Sequence, residues 1–174
     1  MSPGRPPSLD QVLARRAHAS RATVVDVDEP RTKLVVAWLA REWLAFPGRQ
    51  VREILPGTPA FFLPGCPPGL EGVINVRGDI EPVLCLRTLL HLPPPAPDEP
   101  SRILIGKGGS VQAGLRVDRV EEVMDVPDSA LQPPPPTLPD PLRNWALSIF
   151  PFRNQGVLVL DIERLLGDYC SAHL

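Results

Sequence analysis

A mainly β protein built of small barrels is the fold this sequence predicts, on three observations. Short runs of apolar, β-branched residues recur along most of its length, and Gly and Pro punctuate them at turn spacing. A strand, a turn, a second strand and a helix-like closing segment occur twice, ending over residues 83–92 and again over 157–170, which predicts an internal pseudo-repeat of weak sequence identity. At 174 residues the chain suffices for one sizeable domain or two small subdomains sharing an interface.

Along the chain, Ser8 is followed three residues later by Gln11, a capping-box signal. Leu9, Val12, Leu13 and Ala17 fall on one side of the amphipathic helix this predicts over 8–19. So short a helix is marginal alone; packing on its own domain is the simpler expectation and docking on a partner the alternative, with His18 a solvated helix residue. Strands are expected at 33–39, 43–46 and 51–55, separated by turns at Arg41-Glu42 and Pro47-Gly48 and followed by a Pro- and Gly-rich loop over 56–70.

Residues 71–84 are the most informative stretch, because two apolar runs flank an Arg-Gly-Asp turn and read as strand, tight turn and strand. If 72–77 is extended, Ile74 and Val76 point to one side and Val73, Asn75 and Arg77 to the other. Gly72 and Gly78 bracket that run, where glycine permits positive φ or close backbone approach. Residues 87–92 read as one or two helical turns stopped by Pro93, with His91 at their end. Further strands are expected at 102–105, 111–117, 119–125, 145–149 and 156–160. Prolines cluster at 93–97 and 133–141, where missing amide donors and a polyproline II preference make connectors, a simpler reading than SH3- or WW-type ligands.

Composition excludes several classes of function. Eighteen Lys and Arg stand against 20 Asp and Glu, and the net charge of −2 gives no electrostatic case for nucleic acid or an anionic membrane. No apolar run approaches the roughly 20 residues that span a bilayer, and the first residues lack the apolar core of a signal peptide, so a cytoplasmic location without membrane insertion is expected. Cys66, Cys85 and Cys170 are spaced neither as a disulfide framework nor as zinc ligands and read as free thiols, Cys85 as a small hydrophobe in a strand; no metal or other cofactor is implied. The run Gly-Lys-Gly-Gly-Ser at 106–110 falls short of a phosphate-binding loop and reads as a hairpin turn between Ile105 and Val111. His18, His91 and His173 accompany no Cys or Ser in a nucleophile motif, and Asp118, Glu121 and Glu122 read as solvated strand faces, so a hydrolase or nucleotide-binding protein lacks support and no enzyme is expected.

One constellation stands out. Val51 and Glu53 share a strand face, as do Asn75 and Arg77, and if the two strands neighbour each other in a meander then Glu53 reaches Arg77. Such a carboxylate fixes the guanidinium and leaves donors free for a partner. The plain alternative is a surface ion pair contributing about 0–1 kcal/mol.

The sequence Gly-Val-Ile-Asn-Val-Arg-Gly at 72–78, with Ile-Glu-Pro-Val-Leu-Cys-Leu-Arg at 80–87, resembles the signature of the CheW-like domain, the coupling module of bacterial chemosensory signalling. Upstream, Leu-Ala-Phe-Pro-Gly-Arg-Gln-Val-Arg-Glu-Ile at 44–54 is similar to the family's early strand pair, and Ala-Gly-Leu-Arg-Val-Asp-Arg-Val-Glu-Glu-Val at 113–123 is similar to its second-half signature. The resemblance covers roughly 33–168 and leaves an N-terminal arm of 1–32 and a tail of 169–174. It implies two intertwined five-stranded SH3-like barrels with a groove between them and a short C-terminal helix. It also implies a non-enzymatic adaptor that couples chemoreceptor cytoplasmic tips to the regulatory domain of a CheA-type histidine kinase. Val51, Glu53, Ile54, Asn75 and Arg77 match positions for partner contact, with Gly114 and Val123 the analogous positions of the second half. Cys85 stands where the family usually has aspartate, which puts a polar contact at that strand end in question. The alternative within the same resemblance is a divergent dimerising or decoy module of a non-flagellar chemosensory pathway.

Overall fold

The computed structural model describes residues 29–173; the helix expected over 8–19 lies outside them. Every strand expected from residue 33 onward forms. They are β1 (Arg31–Leu39), β2 (Glu42–Pro47), β3 (Val51–Pro56), β4 (Leu70–Val76), β5 (Asp79–Cys85), β6 (Arg102–Gly108), β7 (Val111–Val117), β8 (Arg119–Pro127), β9 (Ala146–Phe152) and β10 (Gln155–Leu160). Among the described residues three α-helices accompany them: α1 (Leu86–Leu89), α2 (Leu142–Trp145) and α3 (Ile162–His173). None of these is long and apolar enough to cross a membrane.

Of the boundaries that differ from the sequence reading, three have a packing reason. Strand β6 runs on through Gly108, leaving only Gly109 and Ser110 to turn the hairpin. Its glycines make room for the start of α3: a Cβ at Gly106 would lie 2.8 Å from Ile162 Cγ2, and one at Gly108 2.4 Å from Glu163 Cα. Trp145 closes α2 instead of opening a strand, and its indole N–H donates to Asp168 of α3 at 2.8 Å. Helix α3 continues to His173, through residues expected as a tail, because Tyr169 packs on the core and its hydroxyl donates to the Pro68 carbonyl at 3.0 Å.

The strands form two five-stranded sheets, sheet I in the order β8-β1-β2-β10-β9 and sheet II in the order β3-β6-β7-β5-β4. Replacing each of β1–β5 by the strand five places later, and the reverse, turns one order into the other. The pseudo-repeat is therefore realised as a reciprocal exchange: β1 and β2 join β8, β9 and β10, while β6 and β7 join β3, β4 and β5. Each sheet contains one parallel pair, β2 with β10 and β5 with β7. In each sheet an isolated bridge links the segment after one edge strand to the opposite edge strand, Phe61 with Val73 and Gln132 with Ile149, through paired backbone hydrogen bonds of 2.8–3.0 Å. The expected meander is corrected here, since β3 and β4 lie at opposite edges of sheet II.

The main core joins the sheets. It combines Val35, Ala37, Leu39, Leu44 and Phe46 of sheet I with Leu84, Leu104, Leu115 and Val117 of sheet II and Ile162, Leu165 and Leu166 of α3. A second cluster, with Leu34, Val36, Ala45, Phe150 and Val157, fills sheet I, and a third, with Ile74, Val83, Ile103 and Ile105, fills sheet II. Strand β1 is thus buried on both faces, which accounts for its unbroken apolar run. Each such side chain contributes about 1.5–3 kcal/mol on burial.

Two polar clamps hold the strand exchange. Arg87 of α1, 7% exposed, directs Nη2 to both Asp118 carboxylate oxygens at 2.9 and 2.8 Å and Nη1 to the Pro93 carbonyl at 2.7 Å. Asp118, between β7 and β8, also accepts the Ala40 N–H at 2.9 Å. Gln50, between β2 and β3, donates to Asp161 Oδ1 at 2.8 Å and accepts the Ile162 N–H at 2.8 Å, so that it and Asp161 satisfy the start of α3. In the repeat, Cys85 occupies before α1 the place Asp161 occupies before α3, and it makes no side-chain cap.

Gly72 and Gly78 test two different demands. A Cβ on Gly72, at φ +147°, would lie 2.1 Å from the Phe61 carbonyl oxygen, whereas Gly78, at φ +94°, faces open space. Chemical denaturation should show Gly72→Ala costing more than about 3 kcal/mol and Gly78→Ala only about 1–2 kcal/mol. Tyr169, the one tyrosine of the sequence, has its phenol raised above 10.0 by burial first and then by charge on Cys66 and Cys170. An absorbance titration should therefore form phenolate at higher pH in the folded than in the denatured chain. The associated stability is complete below pH 10 and declines as pH rises through the folded value.

Candidate partner-binding site

The β4–β5 hairpin pairs Val76 with Asp79, leaving Arg77 and Gly78 as a two-residue turn at φ +53° and +94°. Positive φ at both positions is the type I′ turn, whose twist matches that of the flanking strands. Glycine adopts it freely; arginine does not. Asn75 compensates by accepting the Gly78 N–H on its side-chain oxygen at 2.8 Å.

Arg77 projects from this turn with its side chain 80% exposed, and its Nη2 donates to Glu53 Oε1 at 2.6 Å. The two strands meet because sheet II curls, its β3 continuation bridging to β4 at Phe61 and Val73. A guanidinium has five N–H donors, and among the described residues those of Arg77 not given to Glu53 meet no acceptor. So exposed a pair contributes about 0–1 kcal/mol. Stability therefore does not account for an arginine held at positive φ at this exposed position.

A shallow cleft beside the pair is lined by Glu53, Leu55, Ile74, Asn75, Val76 and Arg77. Ile54, on the other face of β3, is 39% exposed, and Val51 packs against the main core. Gly114 is buried at the centre of sheet II, where a Cβ would lie 2.7 Å from Ile103 Cγ2. Val123, 51% exposed, is on β8 of sheet I. The structure thus brings Glu53, Asn75 and Arg77 together, puts Ile54 and Val51 on the same strand, seats Gly114 beneath the surface and places Val123 on the other sheet.

The counterpart of this hairpin in the pseudo-repeat is β9–β10, whose turn residues the sequence reading did not single out. Arg153 and Asn154 turn β9 into β10 at φ +49° and +61°, and Arg153 Nη1 donates to Glu121 Oε1 at 2.6 Å. Glu121 comes from β8 as Glu53 comes from β3, and it also accepts Arg119 Nε at 3.0 Å. It was expected as part of a solvated strand face. The available signal was Arg-Asn between two apolar runs, a turn dipeptide in the same place as Arg-Gly.

Comparison with known proteins adds the following. Residues 33–170 match the family model described as the CheW-like domain. The chain is 31% identical over 118 residues to a probable chemotaxis protein CheW of Rhizobium etli, spanning 68% of this chain and 76% of that protein. It is 25% identical over 158 residues to the chemotaxis protein CheW of Helicobacter pylori, spanning 91% and 95%. Among solved structures it is similar to the scaffolding protein TtCheW from Thermoanaerobacter tengcongensis, with a TM-score of 0.68, 29% identity, and coverage of 75% of this chain and 89% of that one.

The Glu121 carboxyl is held below its ordinary value of 4.5, first by the hydrogen bond from Arg119 and then by that from Arg153. A lowered folded value means that the pair's contribution is fully present above the unfolded value and disappears as pH falls through the folded one. Side-chain carboxyl NMR should place the Glu121 midpoint below 4.5 and return it towards that value in Arg119→Ala and Arg153→Ala.

Proposed function

This chain belongs to the CheW-like domain family, and from that premise we propose that it is a non-enzymatic, cytoplasmic adaptor that couples chemoreceptor cytoplasmic tips to the regulatory domain of a CheA-type histidine kinase. Each five-stranded sheet is read as an SH3-like barrel. The observation that carries the reading is Arg77, exposed, strained and steered by Glu53 at 2.6 Å on a hairpin whose stability gains little from the pair.

The mechanism is positional. An adaptor that grips two proteins raises the effective concentration of each for the other and passes a change in one to the other as a shift of its populated states. Arg77 supplies oriented donors, Glu53 aims them, and Asn75 holds the turn from which they project. Ile54 offers apolar area beside them. Val51 and Gly114 act from beneath by fixing strands β3 and β7, and Val123 belongs to a separate contact on sheet I. We assign the Arg77 hairpin to the kinase.

Titration calorimetry with the regulatory domain of a CheA-type kinase from the same genome tests the assignment. Wild type should bind, and Arg77→Ala, with unchanged melting temperature, should bind about tenfold more weakly, the effect of losing one interface arginine worth 1–2 kcal/mol. Unchanged binding in the variant would move Arg77 off the kinase contact. Absence of binding by the wild type would overturn the coupling reading.

A further inference from the structure

Around Arg153 the end of sheet I carries more than an ion pair. Trp38 and Trp43 face each other across β1 and β2 with ring centroids 4.5 Å apart, and Trp43 continues to Phe152 at 5.3 Å. Arg119 lies over this floor, its Cζ 4.9 Å from the Trp38 ring centre and 5.6 Å from that of Trp43. Arg153 flanks it, 5.7 Å from Trp43 and 4.9 Å from Phe152. One carboxylate, Glu121, serves both guanidinia, so two cations share one anion above an aromatic surface.

That arrangement exceeds what a brace requires. Either arginine would neutralise Glu121, yet both are kept, with side chains 52% and 56% exposed. Among the described residues each gives one N–H to Glu121 and directs its remaining donors to no acceptor. Stacking on an aromatic face holds a guanidinium oriented and partly dehydrated, which lowers the entropy lost when it binds. Trp and Arg are also the residues that dominate interface energies. The excess positive charge selects an anion, and the planar donors suit a carboxylate, which accepts two N–H groups side by side.

We infer that sheet I carries a second docking surface, repeating in the other half of the fold the arrangement of Glu53 and Arg77, in which Arg119 and Arg153 receive a carboxylate of an acidic protein surface and Trp38 and Trp43 its adjoining apolar side chain. The partner's identity rests on the coupling reading: with the kinase on the Arg77 hairpin, the acidic surface is that of the chemoreceptor tip. The two hairpins lie on different sheets, so the two contacts share no residue.

The test is titration of the full chain with two probes, a chemoreceptor cytoplasmic-tip fragment and the kinase regulatory domain, for wild type, the double variant Arg119→Ala/Arg153→Ala and Arg77→Ala. The double variant should lose at least tenfold in affinity for the receptor fragment and keep kinase binding within twofold, which also shows that it is folded. Arg77→Ala should do the reverse. Wild-type affinity for the receptor fragment should fall as salt rises from 50 to 300 mM, and that dependence should flatten in the double variant. Receptor binding unchanged in the double variant would overturn the second surface and leave the coupling reading standing. Loss of kinase binding instead would assign the surface to the kinase and overturn the partner named here. Failure of wild type to bind either probe would overturn both readings.

Discussion

Neither half of this chain can complete a sheet, and most of what the structure does follows from that constraint. Strands β1 and β2 are two-fifths of sheet I and obtain the rest from the C-terminal half; β6 and β7 stand in the same relation to the N-terminal half. The main core has no boundary between subdomains, because its side chains come from both sheets and from α3. The clamps lie where the chain crosses over. Asp118 sits between β7 and β8 and Gln50 between β2 and β3, and each is tied to the helix that follows the last strand of the opposite half. Removing one member of a buried ion pair typically costs about 3–5 kcal/mol, since the remaining charge is stranded. Arg87 and Asp118 therefore fix the crossover more firmly than any exposed pair here.

Much of this was legible locally. The strands are announced by apolar runs and turn dipeptides, and the extent of β7, at Val111–Val117, could be read from its residues alone. Gly72 and Gly78 were recognisable as special positions, though not which demand each met: a carbonyl pressing on one and a positive φ at the other. What the sequence does not contain is the identity of each strand's neighbour, because pairing is decided by packing between residues far apart in the chain. The meeting of Glu53 with Arg77 was expected from a meander and arises instead from the curl of sheet II. The same gap hid the tight packing of Gly114 against Ile103 and the pairing of Glu121 with Arg153.

The two hairpins show one backbone device used twice. Each uses a two-residue turn at positive φ, each puts an arginine at its first position, and each takes a glutamate from the edge strand of the same sheet. Their surroundings differ. The Arg77 hairpin borders a shallow cleft, while Arg153 stands beside an aromatic floor with a second arginine. The repeated geometry thus carries two different chemical surroundings.

The exchange of strands also fixes an order of events during synthesis. Strands β1 and β2 leave the ribosome first, yet β10, which lies beside β2, begins at Gln155, roughly a hundred residues later, a delay of about 5–20 s at ordinary elongation rates. Sheet II, whose last strand β7 ends at Val117, is fully translated well before that. The nascent chain therefore holds all of sheet II beside a β1–β2 ribbon that gains β8 next but whose β2 edge stays open until β10 appears, and that edge is where chaperone binding and misassembly between neighbouring chains would concentrate.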